Sequence, residues 1–249
     1  MSRMFAVFLT LNAAVLAQQP PPHPIGVKGE LLFADDFESI EPKSAWHTVV
    51  PAFVVENGAL KGRQTRDSDT PATEGKPAVP AHAAVHGLEV PTKDSIVEVK
   101  IRFAGATMLD IEFDDRKYTG SHYGHICRAQ VRLDSVLLVD ERDGNMRNDI
   151  RALRRDPERK AEADKMLVGR SARFPVALET GRWYTLLVET VGETMRVSID
   201  GKAVGFLRSS GLAHPTKSKI ELGCAGKDGF FDEIKVWSAL PAPETRETP

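Results

Sequence analysis

Residues 182–205 read RWYTLLVETVGETMRVSIDGKAVG, and two stretches of this block alternate with a period of two. Tyr184, Leu186 and Val188 share one face of the first stretch, and Met195, Val197 and Ile199 share one face of the second. A helix cannot bury positions spaced this way, whereas a β-strand sends successive side chains to opposite faces of a sheet. Gly192-Glu193 and Asp200-Gly201 supply turn residues at both ends of the second stretch. The block therefore predicts an antiparallel hairpin with one buried and one solvated face.

The rest of the chain follows the same pattern. Strand-length segments occur at residues 30–39, at 46–62 with Asn57-Gly58 as a hairpin turn, and at 81–90, 95–103, 108–115, 124–133 and 135–141. Further segments follow at 202–210, 218–224 and 230–237. Residues 64–80, rich in Thr, Asp, Pro and Gly, read as a long loop. Residues 147–168 interrupt the pattern. Asp156-Pro157-Glu158 predicts a helix start running to about Leu167, a charged insertion on a loop. Many short strands with one minor helical insertion predict an all-β antiparallel jelly-roll sandwich, a single domain over residues 30–238. Residues 239–249 read as a disordered tail.

Residues 1–17 carry a basic Arg3, an apolar run and small residues ending at Ala17, the pattern of a signal peptide. The run is too short to span a membrane comfortably, and a Pro-rich leader occupies residues 18–29. This predicts a secreted protein, periplasmic or extracellular, with no membrane span in the mature chain. A formal charge of −2 gives no electrostatic basis for binding nucleic acid. Cys127 and Cys224 either pair as one disulfide in an oxidising compartment or rest as two buried thiols. Their spacing supports no zinc site.

DDFES near the start, a Trp followed by VENGALKG, the block at 182–205 and the closing FFDEIKVW together resemble concanavalin A-like sandwiches of the laminin-G type. Within that group the layout is similar to secreted bacterial 3-keto-disaccharide hydrolase-like domains. The resemblance covers most of residues 31–237 and is most specific in the last hairpin and final strand. It implies functions ranging from carbohydrate binding through glycoside hydrolysis to adhesion. The catalytic residues of the hydrolase-like group have no position-by-position match here, so none is carried over.

Strand register supplies the site candidates. With Val97, Val99, Ile101 and Phe103 inward, Glu98, Lys100 and Arg102 face out. With Leu109, Ile111 and Phe113 inward, Asp110, Glu112 and Asp114 face out. A turn at 104–107 would then set Arg102 opposite Asp110, Lys100 opposite Glu112 and Glu98 opposite Asp114. Arg128, Gln130 and Arg132 extend the same polar face. The leading expectation is a carbohydrate-binding surface formed by Lys100, Arg102, Asp114, Arg128, Gln130 and Arg132. Glu112 and Asp110 are the acid/base candidates if the protein is a glycoside or 3-keto-disaccharide hydrolase. Asp110-Ile-Glu112-Phe-Asp114 resembles the E-x-D-x-E strand of laminarinase- and agarase-type glycosidases, with the acid types exchanged. Opposing bases would keep these acids ionised, which disfavours a general acid. No organic cofactor is implied; calcium between Glu98 and Asp114 is the metal candidate. A solvated ladder of ion pairs on a structural or adhesion module is the alternative reading.

Overall fold

The period-two segments fold into thirteen strands, seen in a computed structural model that describes residues 19–39 and 43–243. The strands are β1 (Gly26–Asp35), β2 (Trp46–Val50), β3 (Phe53–Glu56), β4 (Ala59–Arg63), β5 (Ala84–Leu88), β6 (Ser95–Asp114) and β7 (His125–Val131). The remainder are β8 (Ser135–Asp140), β9 (Ser171–Pro175), β10 (Trp183–Val191), β11 (Thr194–Ile199), β12 (Lys202–Arg208) and β13 (Lys219–Pro241). Two short helices, α1 (Asn148–Arg155) and α2 (Lys160–Met166), lie between β8 and β9. The signal-peptide reading of residues 1–17 and the tail from residue 244 onward lie outside the described residues. Among the described residues no helix is long and apolar enough to cross a membrane.

The hairpin at 182–205 forms, Leu186 pairing with Ile199 and Val188 with Val197, all four buried. Its polar face, however, is not solvated: Glu189, Arg196 and Ser198 are buried too, with Glu189 and Arg196 bonded to the segment at residues 21–26. β10 continues the sheet onto the first half of β6, Tyr184 opposite Ile101. The second half of β6 pairs instead with β7, and β7 with β8 and β9. β13 follows β6 along nearly its whole length, from Lys219 opposite Asp114 to Ser238 opposite Ser95. One layer of the sandwich is therefore β12-β11-β10-β6-β13-β1, and the other is β9-β8-β7-β6-β13-β5-β2. The β3–β4 hairpin pairs with β13 near the bend between them. The two layers share β6 and β13 and close on one core, which includes Phe103, Phe113, Phe231, Leu109 and Ile111. This is an antiparallel jelly-roll sandwich.

The turn expected at 104–107 is absent: 95–103 and 108–114 are one continuous strand. Gly105, at φ 112°, and Gly226, at φ 83°, take left-handed backbone angles in register shifts of β6 and β13, so the paired strands bend without reversing. Phe103 and Leu109 are separated by an even number of residues, so a hairpin and a continuous strand both keep them inward. Parity alone could not tell the two apart. As a consequence, the predicted pairs Arg102–Asp110, Lys100–Glu112 and Glu98–Asp114 do not form.

Two further expectations are corrected, and one of the two cysteine alternatives is found. The insertion holds two helices, and Asp156-Pro157-Glu158 forms the turn between them, with Asp156 capping the end of α1. The leader from Gly26 and the tail as far as Pro241 belong to paired strands. Cys127 and Cys224 are both buried free thiols. Their registers explain why: Cys127 lies opposite Phe113 and Cys224 opposite Leu109, four residues apart along β6, or about 13 Å.

Candidate functional site

The outward face of the second layer forms the floor of a cleft of about 1620 Å³. Asp110 and Glu112 from β6, Arg128 from β7 and Lys219, Glu221 and Gly223 from β13 line that floor, and His125 flanks it. All are placed by alternation, since Leu109, Ile111, Cys127, Ala129, Ile220 and Leu222 point into the core. The loop before β7 and helix α1 build one wall, with Tyr118, His122, Arg151, Arg154 and Arg155. The His47 strand and the 64–80 loop build the other, with Arg66 and His82.

Arg128 is the hub of the floor. Its guanidinium donates to Glu112 Oε1 at 2.7 Å, to Glu141 Oε1 at 2.8 Å and to Asp110 Oδ2 at 3.3 Å. His125 Nδ1 lies 2.5 Å from Glu112 Oε1 and 2.9 Å from Asp114 Oδ1. Lys219 Nζ lies 3.0 Å from Asp114 Oδ2 and also pairs with Glu221. Five carboxyls thus share three cations in a buried setting.

The charges settle unevenly. Burial raises the Asp110 and Glu112 carboxyls above their ordinary values despite the opposing pull of Arg128. Burial likewise pushes Glu141 up to about 8, with further upward contributions from the neighbouring Glu112. Asp114 moves the other way, because the His125 hydrogen bond and the charges of His125 and Lys219 outweigh its burial. His125 is pushed up to about 11 by these two carboxylates, against its own burial. Burial therefore opposes the bases at Asp110 and Glu112. Desolvation, which a strand diagram does not show, is the larger effect.

Of the predicted site residues, the structure brings Asp110, Glu112, Asp114 and Arg128 together. Gln130 sits beside Asp110 in register but does not line the cleft, and Arg132 reaches back to the Thr107 carbonyl at 3.4 Å. Lys100 and Arg102 belong to the other layer: Lys100 pairs with Glu233, and Arg102 lies between the rings of Trp183 and Phe230. Glu98 pairs with Lys28 at 2.8 Å, so the Glu98–Asp114 calcium pair does not exist. Four contributors were not identified: His125 as the bridge between two carboxylates, and Glu141, Lys219 and Glu221. The Lys219-Ile-Glu221 alternation carried the same signal as Asp110-Ile-Glu112. Glu141 follows the end of β8, where no periodicity marks it. His86, by contrast, packs between Trp46 and Phe53 at 5.0 and 5.4 Å, and burial lowers it to about 4.

Glu112, Asp114 and His125 offer ligand atoms within 4.8 Å of one another, so the cluster could coordinate a metal ion. Calcium fits poorly, since it takes six to eight oxygens and would sit against Arg128, Lys219 and a charged imidazole. A metal that accepts imidazole would first have to expel the His125 proton.

Gly223 makes room for this floor: a Cβ there would fall 1.8 Å from Asp110 Oδ1. Gly223→Ala is expected to push Asp110 off Arg128 and to cost about 1–3 kcal/mol. Denaturant unfolding of the two proteins measures this, and an unchanged midpoint would show that the Asp110 side chain moves freely.

No protein-family model matches the chain, and no curated protein matches it in sequence. Solved structures do match in shape. The endo-β-1,3(4)-glucanase SCLam of family GH16 aligns over 92% of this chain and 98% of its own, with TM-score 0.58 and 12% identity. The laminarinase from Rhodothermus marinus aligns over 87% of this chain and 100% of its own, with TM-score 0.57 and 13% identity. The carbohydrate-binding module CBM66 from Bacillus subtilis aligns over 78% and 96%, with TM-score 0.50 and 14% identity. At these identities the likeness establishes the architecture alone: the chain has the jelly-roll sandwich shared by glucanases and carbohydrate-binding modules.

Proposed function

We propose that the protein is a secreted domain that binds glycan chains in the cleft over Asp110, Glu112, Arg128 and Glu221. The observation that carries this reading is the row of alternating carboxyl and cationic groups along the floor of a cleft of about 1620 Å³. Such a row offers acceptors and donors at the spacing of a strand, which suits the paired hydroxyls of a sugar chain. The volume exceeds the roughly 300–1,000 Å³ of an ordinary small-molecule pocket. Neighbours in shape that are glucanases and a carbohydrate-binding module support the same reading, as does the signal-peptide pattern of residues 1–17. A thermal-shift screen of the mature protein against a glycan panel tests it. A ligand at a hundredfold excess over Kd stabilises by about 2.7 kcal/mol, which is several degrees for a chain of this length. A flat response from folded protein across the panel would sink the reading and leave the charge cluster as structure.

Hydrolysis is the second reading, and one observation favours it: Glu112 and Asp110 line the cleft, and burial raises both carboxyls. A leaving-group acid must hold its proton more tightly than a free carboxyl, and burial shifts both groups in that direction. Turnover should be sought on β-glucans and on 3-keto-disaccharides, the substrate suggested by the family resemblance. Where turnover is found, Glu112→Gln should reduce kcat by about 10²–10⁴-fold, measured at a temperature where the variant remains folded. Full activity in both Glu112→Gln and Asp110→Asn would rule out this chemistry.

A further inference from the structure

The mouth of the cleft differs in charge from its floor. Arg66 and His82 stand on one wall, and His122, Arg151, Arg154 and Arg155 on the other. Among the described residues, none of the four arginines is within ion-pair distance of a carboxylate. Arg63, Arg147 and Arg159, also at the surface, each hold one. Helix α1 presents three of the four while its Ile150 is wholly buried, which fixes the face that carries them. The cations are close enough to repel one another. Burial and the charge of Arg155 both hold Arg151 below its ordinary value, and burial followed by Arg151, His125, Arg155 and His82 lowers His122.

We propose that the glycan bound by this cleft is anionic, its carboxylate or sulfate groups held at the mouth by Arg66, Arg151, Arg154 and Arg155. The inference rests on the cleft being the glycan site. A neutral sugar takes only single neutral-acceptor hydrogen bonds from four unpaired guanidiniums, whereas the planar donor fork of arginine matches a carboxylate or sulfate with two parallel charge-assisted hydrogen bonds. An anion here would also relieve the repulsion between Arg151 and Arg155. The acidic floor assigns the register of the chain: hydroxyls lie over Asp110, Glu112 and Glu221, and the charged substituents point outward to the walls.

The test is calorimetric titration of the folded chain with three oligosaccharides of equal length at low and moderate salt. Oligogalacturonate supplies carboxylates, a carrageenan oligomer supplies sulfates, and a laminarin oligomer is neutral. A single-stranded oligonucleotide of matched charge is the fourth probe. At least a tenfold preference for one anionic oligomer over laminarin is expected, shrinking as salt rises, and the better anion identifies the group recognised. In the Arg151→Ala/Arg155→Ala double variant, and more weakly in Arg154→Ala, the preference should collapse toward unity in protein that melts normally. Laminarin binding as tightly as either anion, or a preference that survives the double variant, overturns the inference and leaves the glycan site standing. An oligonucleotide that binds as tightly as the glycans overturns it too, by showing an unselective basic patch. Failure of all three oligosaccharides would overturn the glycan reading itself.

Discussion

Arg128→Ala is expected to lower the unfolding free energy by about 3–5 kcal/mol, the usual result of removing one partner from a buried charge cluster. For a domain of this length that corresponds to a fall of about 6–20 °C in melting temperature. The size follows from what is left behind. Glu112, Glu141 and Asp110 would lose the one guanidinium that contacts all three, and Glu141 Oε2 already lacks a hydrogen-bond partner. The orphaned carboxyls would respond by taking up protons, so the penalty should be smaller at pH 5 than at pH 8. Combining Arg128→Met with Glu141→Leu should recover part of the loss, because it removes a buried acid together with its base. Urea unfolding at the two pH values measures all three effects. A penalty below about 1 kcal/mol, equal at both pH values, would show that the cluster is hydrated and behaves as surface ion pairs.

The difference between what was legible and what was not has a physical origin. Period-two alternation reports only which side chains share a face, and it put the apolar set of β6, β7, β10 and β11 on the core, although the polar faces of β11 and of the second half of β6 are buried as well. It therefore placed Asp110, Glu112, Asp114 and Arg128 on one outward face. It does not report whether the chain reverses between two strands. Gly105 looked like a turn residue, yet β13 offers hydrogen-bond partners on both sides of it. Once β6 runs straight through, Lys100 and Arg102 go to the other layer, and the site takes its bases from His125 and Lys219 instead. Both were visible as residues, but each became a partner only through a pairing distant in sequence. The same holds for burial. A strand with one polar face reads as half exposed, whereas the loop before β7, helix α1 and the 64–80 loop stand over this one and leave Asp114 fully covered. Desolvation then shifts Asp110, Glu112 and Glu141 toward their protonated forms, and desolvation comes from tertiary structure.

That protonation makes the second large prediction. His125 is held charged by Glu112 and Asp114 and is pushed up to about 11, so the folded state binds its proton more tightly than the unfolded chain does. Its contribution to stability is complete below pH 6.5 and is lost as pH rises from 6.5 toward 11. Glu141 acts in the same direction over a lower window. Its folded value of about 8 stands above the ordinary 4.5, so its contribution is present below pH 4.5 and disappears between 4.5 and 8. Asp114, lowered in the fold, has the opposite sign and loses its contribution only in acid. The neighbouring charges, Arg128 and Lys219, stay protonated over most of this range. Melting temperature should therefore fall between pH 6 and pH 10, by on the order of 5–10 °C. His125→Gln should flatten the descent above pH 6.5, and Glu141→Gln the part below pH 8. A wild-type curve that is level from pH 6 to 10 would mean that His125 is neutral in the fold. Glu112 and Asp114 would then face each other without the cation that this geometry places between them.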